Sequence, residues 1–338
     1  MNISKRISFV WPILFVLIVV FAGYVLLSSG SKKPQKIYRV GILVGLKYLP
    51  NSIDFFKEKM ADLGYIEGKN IIYYFHLTQF EPAKEEQILK QFVKDKVDLM
   101  FTAPTEVTIA AKKITAGTGI PVVFAVANIE GTGLVDSVEW PGGNVTGVRY
   151  PGPDLAVKRF EIMHELVPKV KAMWIPYQRG YPIIESQMEA LNLAAAPAGI
   201  KLIEFPADNA VEVQAELDRV SKLDDVGFDA ILFIPETLSC NDDTFEVMGK
   251  FAYERKMPIG GILMQVGDYG SIFSVNINVM DTLHQAAIIA DKILKGTPAS
   301  KIPVVSSESY LQINYKAAEQ LGIKVPEGLL SRADEIIR

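Results

Sequence analysis

The side chains able to do chemistry in this 338-residue chain gather in short segments that follow apolar, β-like runs. GLKYLPN (45–51) offers Tyr48 and Asn51, TAPTE (102–106) offers Thr102 and Thr105, and ANIEGTG (127–133) offers Asn128. Later in the chain AMWIPYQRGYP (172–182) offers Trp174, Tyr177, Gln178, Arg179 and Tyr181. FIPETLSCND (233–242) offers Glu236 and Thr237, and LMQVGDYGS (263–271) offers Gln265, Asp268 and Tyr269. These are hydroxyls, amides, two carboxylates and aromatic rings, with no nucleophile and base side by side. Such a set suits reversible capture of a small zwitterionic or aromatic solute better than covalent catalysis. A carboxylate on that solute would go to the amides at the TAPTE helix start. An ammonium would prefer Glu236 or Asp268, and a ring would stack on Tyr177 or Trp174.

Motifs for other chemistries are missing. No G-x-G-x-x-G follows the first strand-like run, GYIEGKN (64–70) lacks the spacing and the Ser/Thr of a phosphate loop, and there is no G-x-S-x-G. HELVP (164–168) carries Pro168 where a second zinc-binding histidine would stand. His76, His164 and His284 are too scattered for a shared metal ion, and the single cysteine, Cys240, excludes an intrachain disulfide. Asp224–Asp225 and Asp242–Asp243 read as helix caps or solvated charge. No metal, cofactor or enzymatic activity is therefore expected. With 35 basic against 39 acidic residues, nucleic acid is not an expected partner either.

Positioning these segments requires alternating strands and helices. Strands are expected at 38–45, 70–77, 97–103 and 120–127, with helices at 54–64, 82–95 and 104–114 between them. A second set follows: helices near 155–167, 182–195, 210–223 and 242–256, and strands at 170–176, 200–206, 228–235 and 257–264. This alternation predicts an α/β fold with mostly parallel sheets and right-handed crossovers. Ligands of such sheets bind beyond the carboxyl ends of the strands, where the polar segments fall. The Gly/Pro-rich stretch 140–154 reads as the break between the sets, and 271–279 as a strand-like run before a long helix.

Residues 7–27 form an uncharged apolar run of 21 residues after Lys5 and Arg6. At 1.5 Å per residue this spans about 31 Å, enough to cross a hydrocarbon core. An uncleaved anchor is favoured over a cleaved signal segment, although Ser28 and Gly30 would permit cleavage. Lys32, Lys33 and Lys36 after the run balance Lys5 and Arg6 before it, so charge alone does not set the orientation.

Three stretches, LGYIEGKNI (63–71), GTGLVDSVEWPGGNVTGV (131–148) and NYKAAEQLGIKVPEGLLSRADEII (314–337), resemble the ABC transporter substrate-binding proteins of the tryptophan/tyrosine type. The resemblance extends over about 37–338. It implies a type I periplasmic-binding fold, two Rossmann-like lobes joined by a multi-segment hinge; the apolar run 7–27 adds one N-terminal transmembrane helix before them, a departure from the family's lipobox. The expected limits are 1–31 for the anchor or signal, 37–150 plus about 272–305 for lobe 1, and 151–271 plus about 306–338 for lobe 2. It also implies a solute held in the interlobe cleft, with an amino acid or aromatic compound among the candidates, and delivery to ABC permease subunits from a body outside the cytoplasm. Asn128 stands where the family often has Asp, and ETLSC (236–240) replaces a D-N-T-type rim, so both departures fall at pocket positions. A sensor signalling through a partner and a membrane-anchored α/β enzyme are the alternatives.

Overall fold

The computed structural model describes residues 36–45 and 52–338. The apolar run 7–27 and the first rim segment, with Tyr48 and Asn51, lie outside the described residues. Among those described, no helix is long and apolar enough to cross a membrane.

The first sheet has six parallel strands in the order β13-β5-β4-β3-β1-β2. These are β1 (Tyr38–Val44), β2 (Ile71–Leu77), β3 (Leu99–Ala103), β4 (Val122–Ala127), β5 (Val145–Arg149) and β13 (Val305–Ser306). Both faces are covered, so the strands read as continuous apolar runs rather than as alternations. Val40, Ile42 and Val44 face one core with α1 (Ile53–Asp62) and α8 (Val279–Leu294). Leu43, Met100 and Phe124 face the other, with α2 (Pro82–Lys94) and α3 (Thr105–Thr115).

The second sheet is parallel and ordered β7-β6-β8-β9, from β6 (Ala172–Gln178), β7 (Lys201–Ala207), β8 (Ala230–Leu232) and β9 (Ile259–Gly260). On one face Met173, Ile175 and Leu232 pack with α4 (Gly152–Leu166) and α5 (Ile184–Ala198). On the other Trp174, Ile231 and Phe233 pack with α6 (Ala210–Val220) and α7 (Asp242–Glu254). A hairpin, β10 (Gln265–Val266) and β11 (Tyr269–Gly270), precedes a three-stranded sheet of β12 (Phe273–Ile277), β14 (Ser309–Asn314) and β15 (Glu335–Ile337). The last two strands flank the short helices α9 (Tyr315–Gln320) and α10 (Glu327–Leu330).

The alternation is as the sequence predicts, with three local differences. The stretch read as a break contains β5, because Gly147 lets that strand lie against β4: a Cβ there would fall 2.6 Å from the Phe124 nitrogen. The runs 228–235 and 257–264 shrink to three and two paired residues. Gly261, at φ +119, turns the second of them out of the sheet. Strand β12 pairs with β14, and Phe273, Val275 and Ile277 belong to the core of α4 and α5, whereas α8 packs on the first sheet.

In both parallel sheets the strand order reverses beside the first strand, at β1/β3 and at β6/β8. Loops leaving a sheet at such a point diverge to opposite faces and leave a crevice. The site is sought at those two points.

Candidate functional site

Beyond β3 and β4 the structure brings Thr105 and Asn128 together: the Asn128 backbone N–H donates to Thr105 Oγ1 at 3.0 Å, and both residues are buried. Thr102 is buried within β3, with its hydroxyl 3.0 Å from that of Thr108, so it braces the start of α3 from beneath. The Asn128 side-chain oxygen is shut off from solvent and has no hydrogen-bond partner. Opposite it, on α5, lies Gln187, fully buried, whose Oε1 is likewise unpartnered. Gly152, the first residue of α4, sits between them. A Cβ at that position would overlap Asn128 Oδ1 and lie 3.2 Å from Gln187 Cδ, so only glycine lets the two amides approach. Two buried acceptors, one beyond β4 of the first sheet and one on α5 beside the second, each lacking a donor, form a junction complementary to a cation such as an ammonium.

The β6/β8 crevice is filled differently from the sequence expectation. Glu236 is buried, and its carboxylate turns back on its own loop, accepting the Leu238 and Ser239 N–H groups at 2.7 Å each. Burial pushes its carboxyl above the usual range, while these donors pull the other way. Glu236 thus closes the loop after β8 on itself, each of its oxygens taken by one amide, and Ser239 of that loop ties it to β6 by donating its hydroxyl to the Pro176 carbonyl at 3.1 Å. Thr237 beside it is exposed. Tyr177 donates to Glu204 at 2.8 Å across to β7, and Arg179 is held by Asp208 and Glu212. Trp174 is a core residue, stacked on Phe228 with ring centroids 5.5 Å apart. Asp268 is exposed at the β10–β11 turn, and Tyr269 packs on Gly249 and Tyr253 of α7, so this pair keeps company with the far half of that helix rather than with Glu236. Cys240 is half-buried, and burial together with Glu236 pushes its thiol up to about 12, which leaves it protonated and unreactive at neutral pH.

The sequence reading missed Gln187, and it also missed Glu106. Both carboxylate oxygens of Glu106, in the first turn of α3, are buried without a partner. Nearby on α2, Glu85 is buried with its carboxylate receiving Thr78 Oγ1 at 2.9 Å. Burial raises the Glu85 carboxyl, and the Glu106 charge raises it further, whereas the Thr78 hydroxyl lowers it. A carboxyl raised by folding contributes stability that is fully present below its ordinary value and is lost as pH rises through the raised one. Glu85→Gln keeps an acceptor for Thr78 and removes the charge. The variant should therefore exceed wild type in thermal stability at pH 8, with the gap closing towards pH 4. An unfolding series showing a pH-independent gap would contradict that assignment.

A groove of about 440 Å³ opens where the chain crosses between the sheets, lined by Arg149, Asp154, Lys158, Glu308 and Ser309 among others. Arg149 contacts Glu130, lies 3.6 Å from Asp154 and donates to Ser306 at 2.7 Å, and Lys158 donates to Ser309 at 2.9 Å. No cluster of three or more His, Cys, Asp or Glu side chains suited to a metal occurs among the described residues.

The model of a family described as ABC transporter substrate binding protein matches residues 45–337. The chain belongs to that family. A tyrosine-binding protein of Clostridioides difficile (strain R20291) is 29% identical over 303 residues, covering 88% of this chain and 84% of the relative. A crystal structure of a conserved domain protein from Vibrio cholerae superposes with a TM-score of 0.73 at 30% identity, covering 89% of this chain and all of the other. The ABC domain of a streptococcal protein (Streptococcus pneumonia), solved with L-Trp, gives a TM-score of 0.77 at 25% identity, again over 89% of this chain and all of the other. The two parallel sheets and their strand orders are those of the type I periplasmic-binding kind of fold.

Proposed function

We propose that this ABC transporter substrate-binding protein captures an α-amino acid, with an aromatic one favoured, between two lobes and hands it to an ABC permease for import. The observation that carries the reading is the meeting of Asn128, beyond β4, and Gln187, on α5, across Gly152. Their unpartnered oxygens supply acceptors for an ammonium that would arrive with three donors, and a solute bridging them favours the closed arrangement over the open one. The tyrosine-binding relative and the L-Trp-bound structure support an aromatic amino acid over a sugar or polyol.

In this reading the lobes are 36–149 with 279–306, and 150–277 with 307–338. Drawing the middle crossing at about 278 rather than 272 follows from the pairing of β12 with β14. The chain then crosses three times, after β5, after β12 and after β13, and these crossings form the hinge. The apolar run 7–27 tethers the body to the membrane on the outer side, where the permease presents its entrance. Asn128 and Thr105 form the first-lobe half of the ligand site, with Tyr48 and Asn51 from the neighbouring rim segment. Gln187 takes on the second lobe the role that the sequence gave to Glu236 and Asp268. Tyr177, Gln178, Thr237 and Tyr269 brace or border the second rim.

Thermal unfolding of the purified full-length chain with a panel of L-amino acids, sugars and polyols tests the reading. A ligand at 100 times its Kd should add about 2.7 kcal/mol of stability. L-tyrosine or L-tryptophan should raise the transition by several degrees. A shift with a sugar or polyol alone would reject the amino-acid reading.

A further inference from the structure

Arg159, near the middle of α4, is fully buried, and among the described residues it is the sole buried lysine or arginine. Its Nε donates to the Gly261 carbonyl at 2.9 Å and one terminal nitrogen, Nη2, meets the Tyr150 hydroxyl. The other, Nη1, is shut off from solvent with no acceptor. No carboxylate among the described residues pairs with this guanidinium. The ionisable groups beside it are Tyr150, whose hydroxyl is raised by burial, and the Cys240 thiol, so both neighbours are neutral at pH 7. The Glu236 carboxylate is already committed to two amides of its own loop.

The position is built for this side chain. Gly261 has φ +119, and a Cβ there would press on the Phe233 carbonyl at 2.7 Å and on Arg159 Cδ at 3.2 Å, so glycine is needed for the arginine to lie across the ends of β8 and β9. Leu155, Ala156, Phe160 and Met163 fill the same buried face of α4, so a cation here displaces what would otherwise be one more apolar contact. A buried guanidinium without a counter-ion is costly, and a group that completes it gains a charge-assisted, directional bond. Tyr150 connects this spot to the Asn128 junction: its backbone N–H donates to the Ala127 carbonyl at 2.8 Å, one residue before Asn128, while its hydroxyl meets Arg159. An acceptor for a cation and a donor for an anion thus stand near the two ends of the one residue Tyr150.

We propose that Arg159 is the anion receptor of the binding site, its Nη1 taking an oxygen of the ligand's carboxylate. The proposal rests on the solute-binding reading and adds the group that selects acids over amines.

The test uses the full-length chain with L-tryptophan, indole-3-propionate (a carboxylate without the ammonium) and tryptamine (the ammonium without the carboxylate), titrated by calorimetry and thermal shift. Wild type should prefer L-tryptophan to tryptamine by roughly 100-fold, the effect of one charge-assisted bond. Arg159→Gln should reduce that preference at least tenfold and abolish stabilisation by indole-3-propionate. Should Arg159→Gln fail to fold, Arg159→Lys decides, because a lysine ammonium lacks the planar fork that directs separate nitrogens at Gly261, Tyr150 and a carboxylate; its preference should also fall at least tenfold. An unchanged preference in the folded variant overturns the proposal while leaving the amino-acid reading intact. If L-tryptophan does not bind wild type, stabilisation by indole-3-propionate or acetate that disappears in the variants supports the receptor role and rejects the aromatic amino acid. If no carboxylate stabilises wild type more than the variants, the receptor role falls as well.

Discussion

Asn128→Leu is expected to weaken amino-acid binding by roughly 10- to 150-fold while leaving the empty protein as stable as wild type or more so. The two effects have opposite signs for one reason. In the empty protein the Asn128 oxygen is buried without a donor, so replacing it with an apolar group of similar shape removes a desolvation penalty and loses no bond. The backbone N–H that meets Thr105 is untouched by the change. In the complex the same oxygen would accept from an ammonium, and a hydrogen bond to a charged partner contributes about 1.5–3 kcal/mol, which is the stated range in affinity. Gln187→Leu should weaken binding alike, with its gain in stability reduced by loss of the Nε2 bond to the Ile183 carbonyl at 3.5 Å, and because both oxygens serve one ammonium the double variant should lose less than the product of the two. Calorimetric titration beside thermal unfolding of each variant checks both signs. Wild-type affinity in both single variants would place the ammonium elsewhere, and a large loss of stability in the empty proteins would make these amides structural.

Glu236→Ala is expected to act almost wholly through stability. Its carboxylate is the acceptor for the Leu238 and Ser239 N–H groups, and the loop it closes carries Ser239, whose hydroxyl donates to the Pro176 carbonyl at 3.1 Å. Alanine leaves at least two buried amides unsatisfied, at about 1–3 kcal/mol each. With roughly 2–4 °C per kcal/mol for a chain region of this size, the transition should drop by about 5–15 °C. Glu236→Gln retains one acceptor oxygen and should lose less than half as much. An Ala variant that melts with wild type but no longer binds would restore Glu236 to the ligand, as its position in the sequence first suggested.

The contrast between these residues shows what was legible before the structure. Strand ends are readable because buried parallel strands are unbroken apolar runs, so Thr105 and Asn128, at the ends of neighbouring strands, could be put on one rim. What a rim side chain does with its polar atoms is not readable, because a carboxylate can fold back on the next two amides, as Glu236 does. The hairpin that carries Asp268 away from the rim depends on two short paired segments with no periodicity to betray them. Gln187 and Arg159 left a faint signal. In α5 the buried positions are Ile184, Gln187, Met188, Leu191 and Ala195, and in α4 they include Leu155, Ala156, Arg159, Phe160 and Met163. A polar residue occupying a place in an apolar helical stripe is the mark of a group buried for a purpose. β5 was hidden by Gly147, whose lack of a side chain is a condition of pairing with β4 and not a sign of a loop.

The central claim, a zwitterion held between the sheets by Asn128, Gln187 and Arg159, is tested most directly by a crystal structure of the protein grown with L-tryptophan. The account predicts the ammonium within hydrogen-bond distance of Asn128 Oδ1 and Gln187 Oε1, and a carboxylate oxygen on Arg159 Nη1. A ligand seated instead in the groove between Arg149 and Lys158, with the Asn128 and Gln187 oxygens still unpartnered, would contradict it.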